Sequence, residues 1–228
     1  MSAPAESTVR ISTNELPVRA RIAFWREFWD CKVIHCDMAP QSDEPFRAEA
    51  ELLTWPGMRA MKLATPAHYW RTTPMVADGD DSIVFLLNNT GRIALSQRGT
   101  DAVIGPGAAL GVLHAEASKL WTAHVDYIAF GVPRAALVPL VGNVEDAAMK
   151  LIPANNEALW LLSRYVKLLR AQPTAMSPVL RHAAVAHARD LIALALGATR
   201  GGAGIALGRG VRAARLRAIK ADILEHLD

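Results

Sequence analysis

The 228-residue chain holds only two cysteines, Cys31 and Cys36, which excludes a disulfide scaffold or a four-thiolate zinc site and suits a reducing compartment. It has no apolar run near the roughly 20 residues that a membrane-spanning helix needs, so a helical membrane protein is excluded. Glu6 falls where a secretory signal would carry its apolar stretch; no export signal is read, and the cytoplasm is the expected location. A glycine-rich phosphate loop, a G-x-S-x-G elbow and an H-E-x-x-H pair are also missing, so no catalytic residue is assigned, and no internal repeat is visible. Charge of one sign is scarce as well, the net value being +3. Its distribution is uneven. From Arg200 onward there are six basic and three acidic residues, which leaves nineteen of each sign before position 200. The body therefore lacks an electrostatic footprint for phosphate, and the tail carries the whole excess.

What is present changes period twice, from helix to strand and back. Pro17 to Asp30 reads as a helix, with Val18, Ile22, Trp25 and Trp29 on one face and Pro17 at the start, where a missing N–H costs little. Phe46, Ala48, Ala50 and Leu52 then alternate with Arg47, Glu49 and Glu51, as in a strand with one buried face. Strands follow at 58–64, 82–87, 92–97, 100–104 and 108–113, separated by turn signals. Asn88-Asn-Thr-Gly91 reads as the turn of a hairpin. A last long strand places Trp121, Ala123, Val125, Tyr127 and Ala129 on one face. About eight short strands at near-regular spacing argue for a sandwich or barrel. Helical spacing returns at 156–171 and again from Ser177-Pro178, an N-cap followed by a first-turn proline, to Gly197. Five glycines between 200 and 210 read as a flexible linker, and 211–227 as a final helix with Leu216, Ile219, Ile223 and Leu227 in a stripe. The order of elements makes the fold class α+β.

Three groups carry candidate chemistry. Cys31, His35 and Cys36 juxtapose thiol and imidazole, as an activated nucleophile would need, but Cys31 at a helix end and Cys36 in the segment entering the barrel fit better as small core residues. His114 and Glu116, with His68 or His124, have donors for a metal held in a small barrel; the bland alternative is polar residues in a pocket or on the surface. Trp70, Arg71 and Trp121 suggest a small-molecule site. Pro66 and Pro74 deny their segment a regular central-strand role, so Trp70 and Arg71 are expected across a barrel mouth, with Arg71 fixing a carboxylate and the indoles covering an apolar or aromatic body. Arg71 pairing with Asp78 to hold the loop is the structural alternative.

Arg21-Ile-Ala-Phe-Trp-Arg-Glu27, Asp43-Glu-Pro-Phe-Arg-Ala48, Trp55-Pro-Gly57, Arg71-Thr72, Asp78-Gly-Asp-Asp81, Gln97-Arg-Gly99, Val132-Pro-Arg134 and Leu140-Val141 occur in that order. With the stretches at 187–198 and 209–227, they resemble the AraC-binding-like sensory domain of AraC/XylS-type transcriptional regulators. The resemblance implies a cupin-like barrel after an N-terminal helix (1–135), a helical dimerisation region (136–199), a linker (200–210) and the first helix of a DNA-binding domain (211–228). It implies a small-molecule effector, a homodimer, DNA as a partner and no cofactor. The dimer face is expected on Leu180, Ala184, His187, Leu191 and Leu194, and phosphate contacts on Arg212, Arg215 and Arg217. Because the sequence stops at Asp228 after one helix, both recognition helices of that family are absent and the chain reads as a fragment of a longer regulator. Gly105-Pro-Gly107 replaces the family's glycine-aspartate turn. A stand-alone cupin-like metal-dependent enzyme using His114 and Glu116 is the alternative.

Overall fold

The computed structural model describes residues 7–29, 33, 36–40, 44–55, 57–65, 67–71, 79–171, 177–199, 201–202, 204–205 and 208. Among these, the elements in chain order are β1 (Ser7–Ser12), α1 (Val18–Phe28), β2 (Asp37–Pro40), β3 (Glu49–Trp55), β4 (Met58–Thr65), β5 (Ala67–Arg71), β6 (Ile83–Gln97), β7 (Thr100–Ile104), β8 (Ala109–Leu113), β9 (Ser118–Val132), α2 (Arg134–Val141), α3 (Val144–Ala147), α4 (Glu157–Ala171) and α5 (Pro178–Ala195). The strands form one sheet, antiparallel at every pairing, in the order β1-β3-β4-β9-β5-β2, with β6 joining β9 to β7 and β8. The cupin-like barrel of an α+β fold is thereby formed.

Two apolar cores lie on opposite faces of the central strands. Residues Ile83, Phe85 and Leu87 of β6 and Ile128, Phe130 and Val132 of β9 face α2–α5, where they meet Leu137, Leu140, Leu159, Leu162, Val166, Ala184, Ala188 and Ile192. Their neighbours Val84, Leu86, Tyr127 and Ala129 face the barrel interior. A strand covered on both sides is apolar without alternation, which is why Ile83 to Leu87 reads as a continuous run. Helix α1 closes the barrel with Trp25, Phe28 and Trp29. Its buried side also carries Arg21, whose guanidinium donates to the carbonyls of Leu16 (2.9 Å), Asn14 (3.1 Å) and Phe46 (3.3 Å). That anchor rotates the helix from the expected face, leaving Val18 exposed and Ile22 half-buried.

Several expectations are corrected here. Asn88-Asn-Thr-Gly91 does not turn the chain; β6 runs through it, with register shifts against β9 at Asn88/Thr90 and Thr90/Arg92. The fully buried Asn88 amide donates to the carbonyls of Gly91 (3.0 Å) and Ile104 (3.1 Å), and Gly91 takes a positive φ of 73°. These contacts hold a bulge where a hairpin turn was read. The first half of β6 is left free to pair with β8 and the second half with β7. The segment expected across a mouth is instead an inner strand: β5 pairs with β2 on one side and β9 on the other, its flanking prolines marking strand ends only. Helices α2 and α3 were not foreseen; Pro139 inside α2 masks its apolar spacing. In the expected linker, Gly201, Gly202, Gly204, Ile205 and Gly208 are helical. A Cβ built on buried Gly202 would fall on the Leu140 carbonyl. Residues 211–228, with Arg212, Arg215 and Arg217, lie outside the described residues.

Candidate ligand site in the barrel

The sheet lines a partly open cavity of about 160 Å³. Its middle is aliphatic: Leu52 from β3, Met61 and Leu63 from β4, Leu86 and Leu95 from β6, Leu120 and Ala129 from β9. This set follows from alternation, but the alternation changes phase. On β9, Tyr127, Ala129 and Gly131 line the cavity at odd positions, whereas Ser118 and Leu120 line it at even ones. The switch coincides with the bulge opposite Asn88–Arg92, where β9 has one residue more than β6 between Ala123 and Asp126. A strand read without that bulge places Trp121 on the face of Tyr127. With it, Trp121 is half-buried on the other face and does not line the cavity. Of the other two expected contacts, the backbones of Trp70 and Arg71 lie in β5 opposite Lys119 and Ser118, and their side chains are outside the described residues.

The deep end is built from α1 and its exit. Trp29, Val33, Cys36, Tyr69 and Tyr127 close it. The Tyr69 hydroxyl accepts from Trp25 Nε1 at 2.9 Å and lies 3.1 Å from Thr65 Oγ1, while its ring packs on Trp29 with centroids 4.8 Å apart. Burial raises the Tyr69 and Tyr127 phenols well above their ordinary value. Both are neutral in the physiological range, so this end offers no charge.

The end that reaches solvent is polar. Arg59, Ser82 and His114 line it, and Asp80 ties them together. Its carboxylate accepts from Arg59 Nη2 at 2.5 Å and from the Ser82 N–H at 2.9 Å, with His114 Nδ1 at 3.5 Å. Burial would raise the Asp80 carboxyl; the Ser82 hydrogen bonding and the nearby His114 and Arg59 charges outweigh it and hold the group below its ordinary value. The Asp80 charge thus neutralises Arg59. Two buried donors in the lining are left over. Ser82 Oγ, beside Asp80, and Trp29 Nε1, beside the Tyr69 hydroxyl, make no hydrogen bond of standard geometry.

The other candidates separate. Glu116 turns to Arg98 (3.4 Å) while His114 turns to Asp80, so the two do not converge on one point. No group of three His, Cys, Asp or Glu side chains arranged for a metal occurs among the described residues. Cys36 lies in the cavity wall; Cys31 and His35, and the side chains of His68 and His124, are outside the described residues. On the expected dimer helix, Ala184 is spent on the chain's own core and the His187 ring lies tilted against Tyr165, centroids 6.2 Å apart. Leu191 and Leu194 are half-buried, and Leu180 alone of the five is exposed. Sequence spacing could not distinguish a helix face that meets α4 from one that meets another chain.

The described residues build a cupin-like barrel with an interior apolar cavity and a helical layer on its outer face. The AraC-binding-like domain matches residues 20–197, and the chain belongs to that family. Among solved structures it is similar to the AraC-like transcriptional activator CuxR, with a TM-score of 0.72 at 18% identity, covering 86% of this chain and 71% of that one. Small cupin-type proteins match less extensively. KdgF from Halomonas sp. gives a TM-score of 0.31 at 14% identity, over 43% of this chain and 86% of that one. A cupin-like protein from Thermotoga maritima gives 0.32 at 10% identity, over 43% and 80%. No curated protein matches. Among the described residues, no helix is long and apolar enough to cross a membrane.

Proposed function

We propose that the chain is the effector-sensing and dimerising region of a DNA-binding transcriptional regulator, and that it binds its effector without transforming it. The observation that carries this reading is the cavity inside the barrel, walled by aliphatic side chains and capped at one end by Trp29 and two neutral tyrosines. An engineered cavity of about 150 Å³ accepts benzene, so the effector, or the part of it that enters, is about one ring in size. Arg71 is a candidate rim contact through its backbone position opposite Ser118, a cavity-lining residue. The enzymatic alternative loses support because His114 and Glu116 face different partners.

Dimerisation is assigned to the outer side of the α4–α5 hairpin. Trp160, Leu161 and Leu168 on α4 are 58%, 48% and 67% exposed, and Val179 and Leu180 at the start of α5 are exposed too. The six-residue connection and the Tyr165–His187 contact make the hairpin antiparallel, which brings Leu168 to the same end as Val179 and Leu180. A two-fold pair of such faces suits a regulator that reads paired half-sites.

The test is a metabolite panel screened by thermal shift against the chain and its Ala129→Leu variant, which fills the cavity from β9. Occupancy at 100 times Kd stabilises by about 2.7 kcal/mol, or about 5–11 °C for a chain of this size. That shift should disappear in the variant. A ligand whose shift survives Ala129→Leu binds elsewhere and refutes the assignment.

A further inference from the structure

We infer that the barrel selects an uncharged, ring-sized ligand carrying one hydrogen-bonding oxygen, and that Ser82 is the residue that receives this oxygen. The inference rests on the cavity being the effector site and adds the chemistry of its occupant. Charge decides first. The lining contains Arg59, but its guanidinium is already held by Asp80 at 2.5 Å, and the same carboxylate takes the Ser82 N–H and faces His114. Asp80 therefore fills, from within the chain, the place that a ligand carboxylate would need. An anionic head arriving there meets a like charge and loses its own hydration, a penalty of several kcal/mol for an ion left without a partner. At the polar end the Asp80 charge is already spent on Arg59, and at the other end an ammonium head meets only neutral phenols and aliphatic side chains.

Hydrogen-bonding capacity decides second. Ser82 is 5% exposed, lines the cavity, and its hydroxyl makes no hydrogen bond of standard geometry. Its position is fixed by the backbone: its N–H is taken by Asp80, and its carbonyl accepts from the His114 N–H at 3.0 Å. The Ser82 hydroxyl lies beside the Asp80 carboxylate without a hydrogen bond of standard geometry, a costly state for a buried hydroxyl, and a ligand oxygen relieves that cost. The indole N–H of Trp29 is also unspent, but it sits at the deep end beside a tyrosine hydroxyl that already serves Trp25 and Thr65. At Ser82 the ring of the same ligand lies among Met61, Leu86 and Leu95. Phenols, aryl alcohols and small ketones have this chemistry.

Benzene, phenol and benzoate form the probe series, titrated calorimetrically into the full chain and into Ser82→Ala. One hydrogen bond to a neutral group is worth about 0.5–1.5 kcal/mol, so phenol should bind about 3–10-fold more tightly than benzene. Benzoate should bind at least 100-fold more weakly than phenol. Ser82→Ala should remove the advantage of phenol while leaving benzene affinity unchanged, and benzene serves as the internal check that the variant is folded. Benzoate binding as tightly as phenol overturns the inference and leaves the cavity reading standing; Arg71→Ala then identifies the cation responsible. Equal binding of benzene and phenol overturns the role of Ser82. Failure of all three probes, benzene included, overturns the cavity reading itself.

Discussion

Replacing Asn88 by alanine should cost more than its size suggests. Its side chain is fully buried, and its amide gives two hydrogen bonds, to Gly91 and Ile104. Losing the bonds removes about 0.5–1.5 kcal/mol each, and the stranded Ile104 carbonyl, which is buried, adds to this. The asparagine also has an unpartnered Oδ1, whose removal returns part of that cost. A net loss of about 2–3 kcal/mol follows. At roughly 2–4 °C per kcal/mol for a chain of this length, Tm should fall by about 4–12 °C. Urea unfolding followed by tryptophan fluorescence measures the free energy directly, and an unchanged m-value confirms that the same surface is exposed. Asn88→Asp should be worse, since it trades the donor for a buried carboxylate. If Asn88→Ala costs less than about 0.5 kcal/mol, then the positive φ of Gly91 and the pairing of β7 hold the bulge unaided and the argument for the amide is wrong.

Three further outcomes follow from other contacts. Glu51 accepts from Arg10 (3.0 Å) and from Arg170 at the end of α4. Burial opposes its charge, but the Arg170 and Arg10 contacts prevail and lower its pKa. Its stabilising contribution is complete above the ordinary value of 4.5 and lost as pH falls through the lowered one; Glu51→Gln should flatten that part of an acid-unfolding curve. Leu168→Glu should convert a dimer to a monomer in sedimentation velocity without lowering Tm, and a dimer that persists would move the interface elsewhere. Gly202→Ala should collide with the Leu140 backbone and detach the segment after α5, which Thr199 holds through hydrogen bonds to Leu140 and Gly202. Trypsin should then cut at Arg200 faster than in the parent chain, and equal rates would show that this close approach holds nothing.

Much of the barrel could be read from alternation and turn residues because exposed and buried faces differ in polarity along β3 and β4. The helix pair announced itself through Ser177-Pro178 and the spacing of Leu159, Leu162 and Val166. What escaped had a common cause. The bulge in β6 uses the same Asn and Gly that make a tight turn, and only the pairing partners show which it is. Edge strand β1 is short and mostly exposed, and β5 is bounded by prolines, so neither carries a strong pattern. The site was legible as aromatic content in a neutral barrel. Trp121 was misplaced through the unseen phase change, while Ser82 and Asp80 gave no signal beyond a turn. Their roles come from burial and from each other's geometry.

The two cores share their strands residue by residue, and this constrains how the family's descendants of this sequence can vary. Odd positions from Ile83 to Leu87 belong to the helical side and even ones to the cavity. A substitution alters one face and leaves the other intact, so ligand preference and helix packing can drift independently. Gain or loss of a single codon within 83–87 or 127–132 exchanges the two sets and ruins both at once. Length changes are tolerated only where phase is already reset, at the bulge or in the turns. Homologues should therefore align without gaps along these stretches even where few identities remain.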